Sequence, residues 1–587
     1  MQHPIGEHAL LADGRTAALI DPLGSVVWLC WPRVDSMPVL FGLLDEQRGG
    51  VFSLRPQLED AAVVARRYHT GTLVLETTWQ VARSRVTVDD ALVVPGPPRL
   101  VCRLRCDGDP VDMAVRWAPS PDAGRARVAL RVTGRHAEAA SGDLRLLVTS
   151  PGDWEVGDGV VCSRFSAVPG EDSFVVLENA RDAGGDERAR HLLDATMAVW
   201  ARLAGDGPPP LSAMSVRSLG EVRVTEMLAI TRSVLLGLTQ RGGGIVAAPT
   251  TSLPQWHGTS RTWDYRYCWL RDAALAATAM LRVGCTESAS ALGEFIGGAL
   301  AGDAFPSLVR VDGAAPPGEE TLPHLDGYRG ARPVRIGNAA AHQLQLDITG
   351  EVSQLAVALA GADALPGTLA TACGRLAARV VDHWQDADHG IWEVRGGRRH
   401  YTHSRVMAWV ALRDAVSLAE RGLIRGDSGA WRRCAGAIHR EVIGQPRPLQ
   451  LHAEGGGADA ALAAIPMVGF LPVNHPAVHA TLDMITRRLD RRGLLDRYEG
   501  RPDCVDEPCG PFLFPTFWLA TALEMCGRQG DAYFTAAAGA RGDLSLFGEV
   551  ADPSDGSVLG NYPQVQSHAA FALCATQPAG AALTPRW

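Results

Sequence analysis

The sequence contains no lysine, so all 56 of its basic residues are arginine. Without lysine the chain cannot form a Schiff base with a carbonyl substrate or with pyridoxal phosphate, and it lacks the lysine of a phosphate-binding loop. It also lacks any apolar run near the roughly 20 residues that a membrane span requires. The N-terminus shows no basic segment followed by an apolar stretch, which is the pattern of a signal peptide. These absences predict a cytoplasmic protein with no membrane partner.

Paired cysteines and excess positive charge are also missing. The twelve cysteines occur singly, with no CxxC pair and no Cys/His spacing suited to zinc. This favours reduced thiols and gives no metal site, with Cys504 and Cys509 as the nearest candidates for a disulfide. The net charge of −9 and the pI near 6.0 offer a polyanion nothing to bind, so nucleic acid is not expected as a partner.

The 587 residues exceed what one ordinary core fills, and their pattern changes once along the chain. From about residue 15 to 180 apolar residues mostly alternate with polar ones, as in "GTLVLETTWQVARSRVTV", with Gly, Pro or Asp between the runs. This period of two predicts an antiparallel β-sandwich over residues 1–185. The prolines of "GDGPPP", at 205–210, cannot continue a helix, so residues 186–219 are predicted to be a helical linker.

From about residue 220 the apolar period becomes that of a helix. Segments such as "EVRVTEMLAITRSVLLGLTQ", "CWLRDAALAATAMLRVG" and "SRVMAWVALRDAVSLAERG" repeat this pattern ten or more times, with long loops between them. The loops carry Trp, Gly and charged residues. Residues 220–587 are therefore predicted to form a barrel of helical hairpins, whose loops hold the polar chemistry.

One loop concentrates aromatic and charged residues. Between positions 251 and 274, "TSLPQWHGTSRTWDYRYCWLRDAA" contains three tryptophans, two tyrosines, three arginines and two aspartates. Pyranose rings present apolar C–H faces that rest on aromatic planes, and hydroxyls that need charged or amide partners, so the loop suits a sugar ligand. The alternative is structural: the aromatics plug the barrel mouth while Arg and Asp form internal ion pairs.

A second segment, "IWEVRGGRRHYTHSRVMAWVAL" at 391–412, places Glu393 between a tryptophan and a valine just before a turn. A carboxyl group partly removed from water keeps its proton to higher pH, because burial disfavours the charged form. Glu393 is therefore a candidate general acid. The alternative is a glutamate on the solvent face of a strand.

Five segments in chain order resemble glycoside hydrolase family 15, the glucoamylase, glucodextranase and trehalase group. They are "GRTAALIDPLGSVVWLCWPRVDS", "WDYRYCWLRDAA", "GYRGARPVRIGNAAAHQLQLDITGEV", "GIWEVRGGRRHYTHSRVMAWVAL" and "LGNYPQVQSHAAF". The resemblance implies an N-terminal β-sandwich, a linker, and an (α/α)6 barrel. It implies an enzyme whose pocket removes glucose from a non-reducing end with inversion at the anomeric carbon.

Residue by residue, the resemblance assigns roles to positions of this sequence. Glu393 matches the general acid, and Glu549 in "LFGEVADPSDGSVLGN" matches the general base. Arg271 and Asp272 match the pair that binds the outermost glucose. The other predicted substrate-binding residues lie in the aromatic loop, in "VRIGNAA" and beside the acid: Trp263, Asp264, Tyr265, Trp269, Arg335, Asn338 and Trp392.

The predicted function is that of an inverting exo-acting α-glucoside hydrolase that needs no metal or organic cofactor. Its expected partner is a small carbohydrate: trehalose or a short malto- or isomalto-oligosaccharide. Glu507 stays open as a second candidate for the base. A phosphorylase on a related barrel and a carbohydrate-binding or regulatory protein without catalysis are the alternative functions, and the sequence leaves monomer and homo-oligomer open.

Overall fold

The computed structural model describes residues 2–157, 159–182, 186–203, 207, 209–302, 305–500, 503, 505 and 507–578. The N-terminal part of the chain is built from β-strands. In chain order they are β1 (Ala9–Ala12), β2 (Ala17–Ile20), β3 (Val26–Cys30), β4 (Pro38–Leu40), β5 (Val51–Pro56), β6 (Ala62–Tyr68), β7 (Leu75–Val81), β8 (Ser84–Leu92), β9 (Arg99–Asp107), β10 (Val111–Ala118), β11 (Ala129–Thr133), β12 (His136–Ser141), β13 (Leu144–Thr149), β14 (Trp154–Val156), β15 (Val161–Ala167) and β16 (Ser173–Asn179).

These strands form three antiparallel sheets. The first runs β1-β2-β3-β4, the second β14-β15-β10-β5, and the third has eight strands in the order β11-β12-β13-β16-β9-β8-β7-β6. In β7 every second residue, from Leu75 to Val81, is buried, and the residues between are partly exposed. This alternation arises because successive side chains of a strand point to opposite faces. The predicted antiparallel β-structure of the N-terminal part is confirmed.

Two helices follow the sheets. Helix α1 (Asp186–Leu203) packs on β16 and β9 of the large sheet, and α2 (Ala213–Leu219) comes next. The side chains of Val93, Phe174 and Ala189 form a small apolar cluster between α1 and the sheet. Of the proline segment at 205–210, residues 205, 206 and 208 lie outside the described residues.

The rest of the chain is mainly helical, as the sequence predicts. Its helices are α3 (Glu221–Leu238), α4 (Leu270–Arg282), α5 (Thr286–Ala299), α6 (Asp347–Gly361), α7 (Gly367–His383), α8 (Thr402–Glu420), α9 (Ser428–Ile443), α10 (Ala464–Met467), α11 (Pro476–Leu489), α12 (Leu513–Met525), α13 (Asp531–Gly539) and α14 (Val565–Ala575). A 3₁₀ turn, Ala460–Ala463, leads directly into α10.

Six of these elements form a closed cycle of contacts. Helix α4 packs on α6, α6 on α8, α8 on the 3₁₀ turn before α10, that turn and α10 on α12, α12 on α14, and α14 on α4. We call these six the inner elements. Helices α3, α5, α7, α9, α11 and α13 each pack on at least one inner element from outside.

Long loops enter the inner elements at their N-terminal ends, and several contain short antiparallel strand pairs. These are β17 (Cys268–Trp269) with β18 (Leu308–Val309), β19 (Glu320–Thr321) with β20 (Arg335–Ile336), β21 (Asp490–Arg491) with β22 (Leu494–Leu495), and β23 (Val550–Ala551) with β24 (Val558–Leu559). The pairs join distant parts of these loops by backbone hydrogen bonds. Trp269 belongs to β17, and Glu549 immediately precedes β23.

Two further sequence predictions concern thiols and membranes. The described cysteines, including Cys509, are free, while Cys504 lies outside the described residues. Within the described ranges, none of the helices combines the length and the apolar character needed to cross a membrane.

Candidate active site

A chamber lies where the N-terminal ends of the inner elements come together. We call it the inner chamber. It is lined by Ala247, Tyr265, Trp269, Arg271, Asp272, Ile391, Trp392, Glu393, Arg497, Phe512, Phe514, Glu549, Gln564 and Gln566. Seven of the residues proposed from the sequence are among these, and they come from three separate stretches of the chain: 265–272, 392–393 and Glu549. The loops before α4, α8, α12 and α14 supply most of the lining.

Glu393 lies in the turn between α7 and α8 and has an unusual backbone conformation. Its φ is +56°, in the left-handed region that side chains other than glycine seldom adopt. Its Oε1 accepts hydrogen bonds from Trp269 Nε1 at 2.5 Å, from Arg271 Nη2 at 3.2 Å and from Gln345 Nε2 at 3.2 Å. The strained turn and three donors on one oxygen fix the direction of this carboxyl group.

Glu549 lies immediately before β23 and is 4% exposed. Tyr265 donates its hydroxyl hydrogen to Oε1 at 2.6 Å, and Gln255 donates its amide to Oε2 at 3.0 Å. Burial raises the pKa of Glu549 to about 7, against the hydrogen bonds from Tyr265 and Gln255 and the charge of Arg497, which lower it. A carboxyl group that titrates near neutrality suits proton transfer.

A short chain of aromatic side chains joins the two carboxyl groups. Tyr265 binds Glu549, and its ring lies 5.5 Å from that of Trp269 in an edge-to-face arrangement. Trp269 in turn binds Glu393. The loop that leads into α4 therefore helps to position both acids, through Tyr265 and Trp269.

At the floor of the inner chamber, Arg271 contacts three acids. Its Nε is 3.1 Å from Asp272 Oδ1, and its Nη1 is 3.6 Å from Asp347 Oδ2, in addition to the bond to Glu393. Asp272 and Asp347 are in the N-terminal turns of α4 and α6, and Glu393 is in the loop between α7 and α8. Burial raises the pKa of Asp272 to about 6, although the charge of Arg271 lowers it. Arg271 and Asp272 thus offer a charged donor and a carboxyl acceptor to a ligand hydroxyl.

A second chamber adjoins the first. We call it the outer chamber. It is lined by Gln255, Arg261, Trp263, Tyr265, Asn338, Ala340, Gln343, Trp392, Glu393, Arg395, Arg497, Asp503 and Val505. Tyr265, Trp392, Glu393 and Arg497 line both chambers. Glu393 consequently stands at their junction, whereas Glu549 belongs to the inner chamber.

The remaining residues proposed from the sequence lie at different depths. Trp263 and Asn338 line the outer chamber. Arg335 lies behind it, with its guanidinium carbon 4.7 Å from the centre of the Trp263 ring. Asp264 lines neither chamber, because its carboxylate binds Arg266 at 2.7 and 2.9 Å.

The carboxylate of Glu507, the second candidate for the base, already accepts hydrogen bonds from another residue. Its Oε2 accepts hydrogen bonds from the backbone and the hydroxyl of Ser260, at 2.6 and 2.8 Å. It lines neither chamber. Its position supports a structural role, and the geometry favours Glu549 as the base.

Sequence reasoning missed several lining residues. Gln255 lies inside the aromatic loop. The composition of this loop predicted a sugar site but did not single out Gln255. Arg497 and Arg395 carried no signal, because isolated arginines are common in this sequence. The others are glutamines and aromatics just before or in the first turn of inner elements: Gln343, Phe512, Phe514, Gln564 and Gln566. Gln345 lines neither chamber but binds Arg271 and Glu393.

Only one group of described residues has the spacing of metal ligands: His69, Glu76 and Asp89 in the large sheet. Arginine side chains already neutralise it. Arg103 binds Asp89 at 2.6 Å, and Arg67 binds Glu76 at 2.6 Å. These contacts account for the cluster as a salt-bridge network, and none of its residues lines either chamber.

The chain is similar to known proteins along most of its length. A family model described as glycosyl hydrolases family 15 matches residues 227–537, and one described as trehalase-like, N-terminal, matches residues 1–194. A trehalase of Mycolicibacterium smegmatis is 32% identical over 617 residues, which cover 97% of this chain and 90% of that protein. Trehalase 1 of Sulfolobus acidocaldarius is 30% identical over 606 residues, covering 98% and 99%.

Among solved structures, a bacterial glucoamylase in complex with acarbose has a TM-score of 0.70 at 12% identity, and covers 98% of this chain and 94% of that one. At this identity the likeness concerns the fold alone. The family match and the trehalase relatives confirm the resemblance found in the sequence. The chain belongs to glycosyl hydrolases family 15 and is a glycoside hydrolase.

Proposed function

We propose that this chain is an inverting, exo-acting hydrolase that releases β-glucose from trehalose, with short malto- and isomalto-oligosaccharides as further candidate substrates. The observation that carries the proposal is the pair of carboxyl groups, Glu393 and Glu549, on one chamber that also holds an Arg-Asp pair. The names of the relatives favour trehalose among the α-glucosides.

In the proposed reaction, the terminal glucose occupies the inner chamber. Arg271 and Asp272 bind its hydroxyls, and the aromatic side chains of Trp269 and Phe514 offer apolar surface to the ring. The scissile bond then lies beside Glu393, at the junction of the chambers, and the leaving sugar occupies the outer chamber. Charged and amide side chains line both chambers, as sugar hydroxyls require.

The two carboxyl groups have different tasks. Three donors occupy Oε1 of Glu393, which leaves Oε2 to carry the proton that the departing glycosidic oxygen takes up. Ionised Glu549 removes a proton from the attacking water on the opposite face of the sugar. An inverting enzyme needs roughly 6.5–9.5 Å between the two groups, so that the water fits. No cofactor enters this scheme.

We propose that the closed cycle of inner elements and the helices around it are an (α/α)6 barrel over residues 220–587. A β-sandwich over residues 1–185 and a helical linker over 186–219 would precede it. The contacts among the inner elements support the barrel, since six helices packed in a ring, each joined to an outer helix, are its defining arrangement.

Stereochemistry tests the mechanism. Inverting hydrolysis of trehalose gives one β-glucose from the attacked ring and one α-glucose from the leaving ring, so proton NMR in the first minutes should show the two anomers in equal amounts. A retaining mechanism would give α-glucose alone and would overturn the proposal. Glu549→Ala should lose at least about a hundredfold in kcat, whereas Glu507→Ala, the matched control, should keep most of its activity. The opposite pattern would move the base to Glu507.

A further inference from the structure

The size of the outer chamber determines how many sugar rings a substrate can have beyond the scissile bond. This interpretation of the chamber rests on the proposed function, because a leaving group is defined only if Glu393 is the acid. The inner and outer chambers measure about 430 and 460 Å³ when the space open to solvent is included. Because the two chambers are similar in size, we expect the outer one to take a ring like the glucose in the inner one.

The lining of the outer chamber is strongly polar. Arg261 and Asp503 form a buried ion pair at 2.6 Å, and Arg497 lies within hydrogen-bonding reach of Asp503 at 3.4 Å. Gln255 and Gln343 add amide groups. Such a lining matches a second hexose, whose hydroxyls can replace water at each group.

Two segments form parts of the wall of the outer chamber, and Glu319 joins them. One segment follows the acid and carries Arg395; the other is 335–339, which carries Asn338. Glu319 binds Arg395 at 2.7 and 3.0 Å, Arg335 at 3.2 Å, and the backbone N–H of Ala339 at 3.2 Å. A single carboxylate thus ties the walls together.

The arginines held by Glu319 also fix the aromatic surface of the chamber. The guanidinium carbon of Arg395 is 4.0 Å from the centre of the Trp263 ring, and that of Arg335 is 4.7 Å from it. Cations at such distances are attracted to the face of an indole ring. Glu319 itself lines neither chamber, so it acts through these neighbours.

The backbone sets Glu319 in this position. It comes just before β19, whose pairing places Thr321 opposite Arg335. At the base of the same hairpin Gly337 has a φ of +72°, and a Cβ there would lie 2.2 Å from the carbonyl oxygen of Gly318. Although burial acts to raise it, the hydrogen bonds and charge of Arg395 hold the pKa of Glu319 below its usual range, which keeps the carboxylate charged.

From these contacts we infer that Glu319 is a specificity-determining positioning residue: it closes the outer chamber after one sugar, so that the enzyme accepts disaccharides and rejects substrates with a longer leaving group. Without its charge, the guanidinium groups of Arg335 and Arg395 would lose their common partner and repel each other, and the walls would separate. A longer leaving group would then find room beyond the second ring.

The test compares two substrates that differ by one glucose on the leaving side. For trehalose the partner is trehalose that carries one further α-1,4-linked glucose; for maltose it is maltotriose. Wild type should favour the disaccharide, and Glu319→Gln should raise the ratio of trisaccharide to disaccharide kcat/KM about tenfold or more. Glu320→Gln is the matched control, since Glu320 is exposed and pairs with Arg125 outside the chamber.

The outcomes separate the inference from the proposed function. A purely structural role for Glu319 would lower kcat/KM for both substrates and leave their ratio unchanged, which would overturn the inference, as would a wild type that does not discriminate. Absence of disaccharide hydrolysis by wild type would instead overturn the proposed function. If Glu319→Gln does not fold, Arg395→Ala takes its place with Arg398→Ala as control, and the same rise in the ratio is expected.

Discussion

At the scale of single residues, the partners of each carboxyl group indicate its role better than the residue type does. Glu393 and Glu549 are both glutamates next to apolar residues in the sequence, yet they meet different partners. Glu393 receives an indole N–H, a guanidinium and an amide on one oxygen. Glu549 is deeply buried and binds a phenol and an amide. These partners come from loops distant in sequence, so local patterns could not reveal them.

The pH dependence of the reaction follows from the Tyr265–Glu549 bond. Glu549 must be ionised to act as a base, and its pKa is about 7, so kcat/KM should fall as the pH drops below about 7. The hydrogen bond from Tyr265 lowers that pKa. Tyr265→Phe should therefore move the acid limb of the pH profile to higher pH, because the base then holds its proton more tightly.

Tyr267→Phe provides the control for this experiment. Tyr267 is buried in the same loop but lines neither chamber, so its loss should leave the acid limb in place. Profiles of kcat/KM between pH 4 and 9 for the three proteins would show the shift. A limb that moves to lower pH in Tyr265→Phe would contradict the assignment of Glu549 as the base.

At the scale of helices and strands, periodicity predicted most of the helices but not where they begin. The pattern from residue 338 onward predicts one helix through "NAAAHQLQLDITGEV", whereas the chain forms a 3₁₀ turn, Ala339–His342, and α6 starts only at Asp347. The intervening Gln343 and Gln345 point their amides toward the Glu393 region. Here the chain makes side-chain contacts with Glu393 where the periodicity predicts helix.

Two elements escaped the sequence pattern for identifiable reasons. Helix α5 contains glycines, which lower helix propensity, but Gly297 permits close packing: a Cβ there would lie 2.5 Å from the backbone nitrogen of Leu369. The inner element at 460–467 is short and contains Pro466, so it resembles a loop. The short strand pairs of the loops depend on contacts between distant segments and have no local signature.

Helix α6 also carries a buried acid whose stability effect can be measured. Glu351 is 5% exposed, and burial raises its pKa to about 8 from the ordinary 4.5, with Asp347 adding to the effect. The folded chain holds the proton where the unfolded chain releases it. The contribution of Glu351 to the free energy of unfolding should therefore decline as pH rises from about 4.5 to 8.

Glu351→Gln removes this titration while keeping the shape of the neutral acid. Its free energy of unfolding should match that of wild type near pH 5 and exceed it by about 1–3 kcal/mol at pH 8. Glu287→Gln, which alters an exposed glutamate in α5, should show no such divergence. Urea denaturation at both pH values measures the difference. A Glu351→Gln variant whose advantage shrinks with rising pH would refute the buried-acid interpretation.

At the scale of the whole molecule, the β-sheets support the active-site loops. Arg266 in the aromatic loop binds the carbonyl oxygen of Ser36 at 2.7 Å, and Trp28 of β3 donates its indole N–H to the carbonyl oxygen of Pro249 at 2.8 Å. The sequence predicted both parts and their order, because a change of apolar period is visible along the chain. It could not predict these contacts, since nothing local links residue 28 with 249.

The last prediction follows from the Trp28–Pro249 bond. Both residues are buried, and phenylalanine cannot donate a hydrogen bond, so Trp28→Phe leaves a buried carbonyl group unpaired at a cost of about 1–3 kcal/mol. Pro249 leads into the loop with Gln255 and Tyr265, which bind Glu549. We therefore expect Trp28→Phe to lower both Tm and the kcat measured well below Tm. Trp79→Phe, which alters a buried tryptophan of β7, should lower Tm only. If calorimetry shows the loss of stability in Trp28→Phe while kcat stays at the wild-type value, the sheets support the fold but do not set the geometry of the site.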